Sequence, residues 1–193
     1  MFTGIIKRTG TVQKVEKCRG GLAIEVAAPR LSLKKGASVA VNGICSTVVS
    51  SARNSLSIFY IPETIRKTTV VRWKKGERVN LEESMRFGDE VGGHLVSGHI
   101  DGVGTITALV REGESRLLKI EAPRMLLRYM IPKGSVAIDG VSLTLADVGD
   151  DWFSVALIPY TLAHTNLGKK KTGDRVNLEC DMLGKYLYTY AKK

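Results

Sequence analysis

Val39-Ala40-Val41-Asn42-Gly43-Ile44-Cys45-Ser46-Thr47 occurs twice in this chain. Val136-Ala137-Ile138-Asp139-Gly140-Val141-Ser142-Leu143-Thr144 repeats the phrase 97 positions later. Each copy is a short apolar run, an Asn-Gly or Asp-Gly pair, and a second β-prone run. The pair supplies the positive φ angles that a two-residue hairpin turn demands, so each copy is expected to be strand, tight turn, strand. The turn sets Cys45 and Ser142 at equivalent positions. A repeated scaffold carrying a different polar atom in each copy is the first pointer to function.

The repeat extends outward from this phrase. Gly4, Gly10-Thr11 and Ala28-Pro29-Arg30 recur as Gly98, Gly104-Thr105 and Ala122-Pro123-Arg124 at an offset of 94. From Ser38 onward the offset is 97: Ile61-Pro62 recurs as Ile158-Pro159, Thr64 and Thr68 as Thr161 and Thr165, and Arg78-Val79-Asn80-Leu81-Glu82 as Arg175-Val176-Asn177-Leu178-Glu179. One three-residue insertion near Leu126 to Ile131 accounts for the change. A register held over about 85 residues predicts two copies of one domain, 1–90 and 91–180, with a tail at 181–193.

Each copy shows six short β-like runs. In the first they centre on Ile5 to Val15, Leu22 to Ala27, Ser38 to Val41, Cys45 to Ser50, Ser55 to Tyr60 and Arg78 to Leu81. Such spacing suggests a small closed barrel, which leaves no edge strand. Helical turns are expected after Pro29 (Arg30 to Leu33) and Pro123 (Arg124 to Met130), with a short helix at Glu83-Ser84-Met85-Arg86 in the link. In the tail, apolar residues at 182, 183, 186, 187 and 190 form a helical stripe, with Asp181 as N-cap. A one-sided helix after the last strand packs on the protein or on copies of itself.

With 44% hydrophobic and 25% charged residues, the chain has material for a core. The net charge of +10 is spread over scattered lysines; only Lys169-Lys170-Lys171 form a run, with no aromatics interleaved. The pattern argues for a solvated basic surface over nucleic-acid binding. Cys18, Cys45 and Cys180 have no metal-type spacing and cannot all pair, as expected of reduced thiols in a cytoplasmic protein. No window has the length of a membrane span, and the amino-terminal stretch does not read as a signal peptide. No phosphate-cradling glycine loop is present.

The candidate chemical groups are those that break the repeat. His99 aligns with Ile5, placing a group that titrates near neutrality where the other copy is aliphatic. A surface histidine and a general acid or base are both consistent with that. Cys45 stands against Ser142; a lone Cys in a strand is ordinarily a small buried hydrophobe, whereas a functional one needs exposure. His94 and His99, five residues apart, share no face and lack the further ligands a metal would need. Paired Ser38/Ser135 and Thr47/Thr144 suit strands and equally a polar ligand across a barrel mouth.

Met1-Phe2-Thr3-Gly4-Ile5, Asn42 to Thr47, Gly92-Gly93-His94-Leu95-Val96-Ser97-Gly98-His99, Asp139 to Thr144, Leu167 to Lys171 and Val176 to Glu179 together resemble riboflavin synthase of the alpha-chain type, a lumazine-binding domain family. The resemblance covers essentially the whole chain. It implies two six-stranded Greek-key barrels and a carboxy-terminal helix that assembles a homotrimer. It also implies dismutation of two 6,7-dimethyl-8-ribityllumazine molecules, one ceding a four-carbon unit to the other. The products are riboflavin and 5-amino-6-(ribitylamino)uracil, with neither cofactor nor metal. The site is expected between the first barrel of one subunit and the second barrel of its neighbour, and an association with lumazine synthase is a further expectation. Carried over by position, Gly4, Ile5, Ile6, Cys45, Ser46, Thr47 and Phe59-Tyr60-Ile61-Pro62-Glu63-Thr64 line the first pocket. Gly98, His99, Ile100, Lys133, Ser142, Leu143, Thr144 and Ala156-Leu157-Ile158-Pro159-Tyr160-Thr161 line the second. Cys45 and His99 are the expected catalytic contributors, Cys45 for nucleophile addition and His99 for proton transfer, with Ser38 and Asp181 in support. Ile44, a second Cys in some members, Ser46, often Leu, and Tyr160, against Glu63 in the first copy, depart from the pattern. The same double barrel also serves non-catalytic lumazine or flavin carriers, which is the alternative function.

Overall fold

The computed structural model describes residues 1–192. Period-two burial within each strand run closes the chain into two barrels. The first contains β1 (Arg8–Cys18), β2 (Gly21–Ala27), β3 (Ser38–Val41), β4 (Ile44–Ala52), β5 (Ser55–Tyr60) and β6 (Arg78–Glu83). The second contains β7 (Gly102–Glu112), β8 (Ser115–Glu121), β9 (Ser135–Ile138), β10 (Val141–Val148), β11 (Trp152–Leu157) and β12 (Arg175–Cys180). Around the first barrel the order is β1-β2-β5-β4-β3-β6, and the second follows the equivalent path, both closed and antiparallel. This is a Greek-key order, with β1 returning beside β6. Leu22, Ile24 and Val26 point inward from β2 onto Leu56 and Ile58 of β5, and Ile106, Leu118, Ile120, Phe153 and Val155 fill the second interior.

The opening phrase forms the centre of the molecule. Val41 pairs with Ile44 and Ile138 with Val141 across two-residue turns. Asn42 and Gly43 have φ of 46° and 76°, and Asp139 and Gly140 46° and 81°, as a type I′ turn requires. The two turns meet back to back: a Cβ on Gly43 would lie 2.6 Å from the Gly140 nitrogen. No side chain fits there, so glycine is needed for space as well as for φ. A buried polar network encircles the contact. Asn80 N donates to Asn42 Oδ1 (2.7 Å) and Asn177 N to Asp139 Oδ1 (2.8 Å). The amide groups then cross over, Asn80 Nδ2 to Asp139 O and Asn177 Nδ2 to Asn42 O, both at 2.9 Å. Asn166 Nδ2 bridges Asn42 Oδ1 and Asp139 Oδ2.

Several connections differ from the sequence reading. β1 starts at Arg8, because Ile6 leaves the first sheet altogether. Arg30 to Leu33 forms no helix: Arg30 adopts φ 59° and its N–H bonds Asn54 Oδ1, whereas the longer second loop has room for α2 (Arg124–Leu127). Glu83 is the last residue of β6, paired with Arg8, and residues 84–86 are not helical. Two helices were not anticipated, α1 (Pro62–Lys67) and α3 (Pro159–His164), each with proline at its start. Their signal was the Ile-Pro pair, since proline fits a first helical turn. Each is followed by a 3₁₀ turn, Thr69–Arg72 and Asn166–Lys169. The tail forms α4 (Met182–Ala191), with Asp181 Oδ1 accepting from Leu183 N at 3.0 Å. Gly184 lets this helix rest on the Tyr129 carbonyl, and Tyr188 meets Tyr129 edge-on at 5.3 Å.

Candidate functional site

Each half of the chain delivers the segment before its first strand to the other barrel. Phe2 and Val96 exchange backbone hydrogen bonds at 2.7 and 3.0 Å. Gly4 O accepts from Ser142 N, and Gly98 O accepts from Cys45 N, each at 2.8 Å. A Cβ on Gly98 would stand 2.6 Å from Cys45 Cβ, and one on Gly4 2.6 Å from Ser142 Cβ. Buried carboxylates hold both segments. Glu82 takes Thr3 N, Thr3 Oγ1 and Gly4 N; Glu179 takes Ser97 N, Ser97 Oγ and Gly98 N.

The exchange corrects the expected grouping. Gly4, Ile5 and Ile6 belong with Ser142, and Ile6 is buried in the second core. Gly98, His99 and Ile100 belong with Cys45, and Ile100 packs on the first core. Sequence order paired each leading segment with its own half; the carboxylates and the Phe2–Val96 bridge steer it across. Both residues that break the repeat, Cys45 and His99, therefore share one cavity.

That cavity, about 390 Å³, is lined by Cys45, Glu63, Thr64, Lys67, Thr68, Gly98, His99 and Asp101, with Ile44 and Ile100 as its apolar part. Lys67, Thr68 and Asp101 were missed by sequence reasoning. Lys67 lies one turn beyond Glu63 on α1, a spacing legible only once the helix is known. Cys45 is half-buried. Burial pushes its thiol pKa above the ordinary value, as does the Glu179 charge, while the amino terminus and a hydrogen bond from Ser38 pull it down. The net upward shift keeps the sulfur protonated near neutrality, which suits a hydrogen-bond or proton donor better than a thiolate nucleophile. Thr47, Phe59, Ile61 and Pro62 are exposed nearby in the chain but outside this cavity. Ser46 and Tyr60 face the barrel interior and bond each other at 2.8 Å, with burial raising the phenol pKa well above its ordinary value. Their side chains do not reach the surface site.

The second half repeats the frame with other groups. Ser142 replaces Cys45, Ile5 replaces His99, and Tyr160 and His164 replace Glu63 and Lys67. The Tyr160 and His164 rings stack with centroids 4.0 Å apart. Thr144, Ala156, Ile158, Pro159 and Tyr160 are exposed and Thr161 is half-buried, whereas Leu143 and Leu157 are core residues whose side chains point away. Lys133 itself adopts the left-handed conformation (φ 69°), where the first copy has Gly36 (φ 85°); both N–H groups donate to the facing strand. A non-glycine residue held at positive φ is a strained position of the kind found at ligand sites. Ser142 Oγ lies 2.7 Å from His94 Nδ1; burial lowers the pKa of that ring, and the Asp181 charge opposes the shift. Among the described residues no three His, Cys, Asp or Glu side chains gather as a metal site would. No described helix is long and apolar enough to cross a membrane.

Two exchanged barrels with paired polar frames define a tandem ligand-binding protein. The lumazine binding domain family model matches it twice, at residues 3–84 and 97–181. Riboflavin synthase from Bacillus subtilis (strain 168) is 37% identical over 100% of this chain and 91% of that protein. Riboflavin synthase from Chlamydia trachomatis is 44% identical over 96% of this chain and 92% of its own. The chain belongs to the riboflavin synthase family. Among solved structures, LumP complexed with riboflavin superposes with a TM-score of 0.87 at 28% identity, covering 93% of this chain and 99% of LumP. LumP complexed with 6,7-dimethyl-8-(1'-D-ribityl) lumazine gives 0.85 at 27%.

Proposed function

We infer that this chain is a riboflavin synthase, catalysing dismutation of two 6,7-dimethyl-8-ribityllumazine molecules to riboflavin and 5-amino-6-(ribitylamino)uracil. The observation that carries the reading is the duplicated frame with unlike groups. Two copies of one substrate in unequal roles call for two similar sites with different chemistry, and Cys45 with His99 against Ser142 with His94 meets that need. Holding both molecules in register supplies part of the rate, because a bimolecular step becomes effectively unimolecular. In the first site, His99 is the candidate for proton transfer and the Cys45 thiol for hydrogen-bonding or protonating a developing anion, with Ser38 fixing the thiol. Glu63, Thr64 and Lys67 offer polar contacts for a ribityl chain. Gly4, Ile5, Thr144, Thr161, Tyr160 and Lys133 do so in the second.

The working assembly is a trimer in which the first barrel of one subunit faces the second barrel of the next, in the cytoplasm. Supporting it is α4, on which Leu183, Tyr186, Leu187 and Tyr190 stay 63–71% exposed along one stripe. Association of this basic trimer with lumazine synthase would keep substrate supply close. The test is to mix purified protein with 6,7-dimethyl-8-ribityllumazine alone and follow riboflavin optically. One riboflavin per two substrates is expected. Tight binding without product would make the chain a carrier, the function to which its resemblance to LumP points. Neither binding nor product would overturn both readings.

A further inference from the structure

The segment that carries His99 is anchored at both ends, and its counterpart in the other half at one end only. Glu179 of β12 takes Ser97 N, Ser97 Oγ and Gly98 N. Beyond His99 and Ile100, Asp101 closes the segment against the same strand. Its N–H donates to Leu178 O at 2.9 Å, and its Oδ2 accepts from Cys180 N at 2.8 Å. Asp101 also lines the cavity that holds Cys45 and His99. In the other half Glu82 grips Thr3 and Gly4, but Lys7 stands at the Asp101 position and Glu83 at the Cys180 position. A lysine ammonium cannot accept a hydrogen bond, and Glu83 pairs with Arg8 instead. The second anchor is therefore not repeated behind Ile5.

The cation for this anchor comes from outside the barrel. Gly184 seats α4 on the Tyr129 carbonyl, and one residue on, Lys185 Nζ reaches Asp101 Oδ2 at 2.6 Å. The two side chains are only 30% and 21% exposed, so the pair is shielded where a rim pair would be screened. One carboxylate oxygen thus takes both the Cys180 amide and the ammonium. Burial raises the Glu179 carboxyl pKa; the Ser97 and Gly98 donors, and then the Lys185 charge, draw it back down. Both anchors of the His99 segment share Lys185 as their cation. Lys185 is not part of the exposed α4 stripe at Leu183, Tyr186, Leu187 and Tyr190.

We propose that Lys185 is a positioning residue for His99: from α4 it fixes Asp101, Asp101 pins the end of the 97–101 segment to β12, and the imidazole is thereby held in the cavity it shares with Cys45. Without the ammonium, Asp101 would carry a shielded charge with no counter-ion and would turn toward water. Its bond to Cys180 N would be lost and the segment freed at that end. The carboxy-terminal helix then serves the first site of its own chain, whatever its exposed stripe meets.

The catalytic readout of this role rests on the riboflavin synthase reading, and a second readout does not. Amide hydrogen exchange needs no turnover. In K185M the Asp101 and Cys180 amides should exchange at least about 10-fold faster than in wild type, with those of Phe2 and Val96 unchanged. Riboflavin formation is then followed for wild type, K185M, K185R, D101N, H99Q and K185M/H99Q. K185M, with an apolar chain of similar length, should keep the wild-type sedimentation profile and a KM within about twofold while losing about 10-fold in kcat, as a displaced group in an assembled site does. K185R should recover most of that loss because the charge returns, and D101N should match K185M. In the H99Q background K185M should cost nothing further, which a general loss of structure would not reproduce. If K185M folds poorly by circular dichroism, D101N carries the same comparisons. Wild type without product would remove the riboflavin synthase reading and leave the anchor to be decided by exchange alone. Unchanged exchange in K185M, an active wild type with K185M equal to it in kcat, a loss that tracks altered sedimentation, or losses that multiply in K185M/H99Q would each overturn the proposal.

Discussion

A half-buried thiol becomes a nucleophile only where something stabilises its anion. At Cys45 burial and the Glu179 charge outweigh the amino terminus and Ser38. Two predictions follow at this single position. Alkylation by iodoacetamide, followed by mass spectrometry, should mark exposed Cys18 well before Cys45 at pH 7, and the Cys45 rate should still be climbing above pH 9. Equal rates at pH 7 would mean a stabilised thiolate after all. Gly98→Ala sets a Cβ 2.6 Å from Cys45 Cβ on backbone at φ 80°. Strain and overlap together should cost about 2–4 kcal/mol, seen as a lowered midpoint in chemical denaturation, and turnover should fall further than binding. That pair of residues, adjacent in space and 53 apart in the chain (98 minus 45), was invisible to any local reading.

At the scale of elements, β6 and β12 are more than barrel staves. Their carboxylates grip the exchanged segments. Desolvation leaves Glu82 and Glu179 with pKa values above the ordinary 4.5, despite the backbone and hydroxyl donors that oppose it. Each group therefore adds stability that is full below its unfolded-state pKa and fades as pH rises through its folded one. Thermal unfolding of wild type, relative to E82Q/E179Q, should show that fade just above pH 4.5, with the variant lower overall because Gln cannot accept all three donors. An identical pH slope in both would refute the assignment. For α4, if it builds the proposed trimer, Leu187→Glu should leave only monomer in sedimentation while shifting the monomer's own stability by under about 0.5 kcal/mol, the usual cost of a surface change. It should also abolish riboflavin formation if the site is shared between subunits. The tail stripe was legible because ten residues are long enough for a 3.6-residue period to show in the sequence, although the stripe itself stays exposed. α1 and α3 were not, since six residues are too short for a period and only Ile-Pro marked them.

For the molecule as a whole, the repeat disclosed two barrels because turn chemistry and register are local, and Asn42-Gly43 and Asp139-Gly140 carry both. What it did not disclose is how the copies join. The exchange of Gly4 and Gly98, the meeting of the two turns, and the pairing of Cys45 with His99 all depend on contacts between halves, where repeat alignment puts equivalent residues in parallel instead of across from each other. The asymmetry at the centre shows what the junction tolerates. Asp139 takes the place of Asn42, and Lys170 that of Trp73, so the polar ring gains a buried ion pair at 3.3 Å. Burial works against the Lys170 charge, but Asp139 first and Glu77 next hold its pKa above the ordinary range. Removing one member strands the other. K170M leaves a fully buried carboxylate without its cation and should destabilise by about 3 kcal/mol, as broken buried pairs do. D139N should cost less, because Glu77 still faces the ammonium. The double variant D139N/K170M returns the second turn to the Asn-Gly form of the first, with an apolar chain of similar length at the Trp73 position. Guanidinium denaturation of the four proteins should then give a coupling of at least about 1.5 kcal/mol, the range for neighbours in one network. Strict additivity would mean that the ion pair is incidental and that the asparagine ring alone joins the barrels.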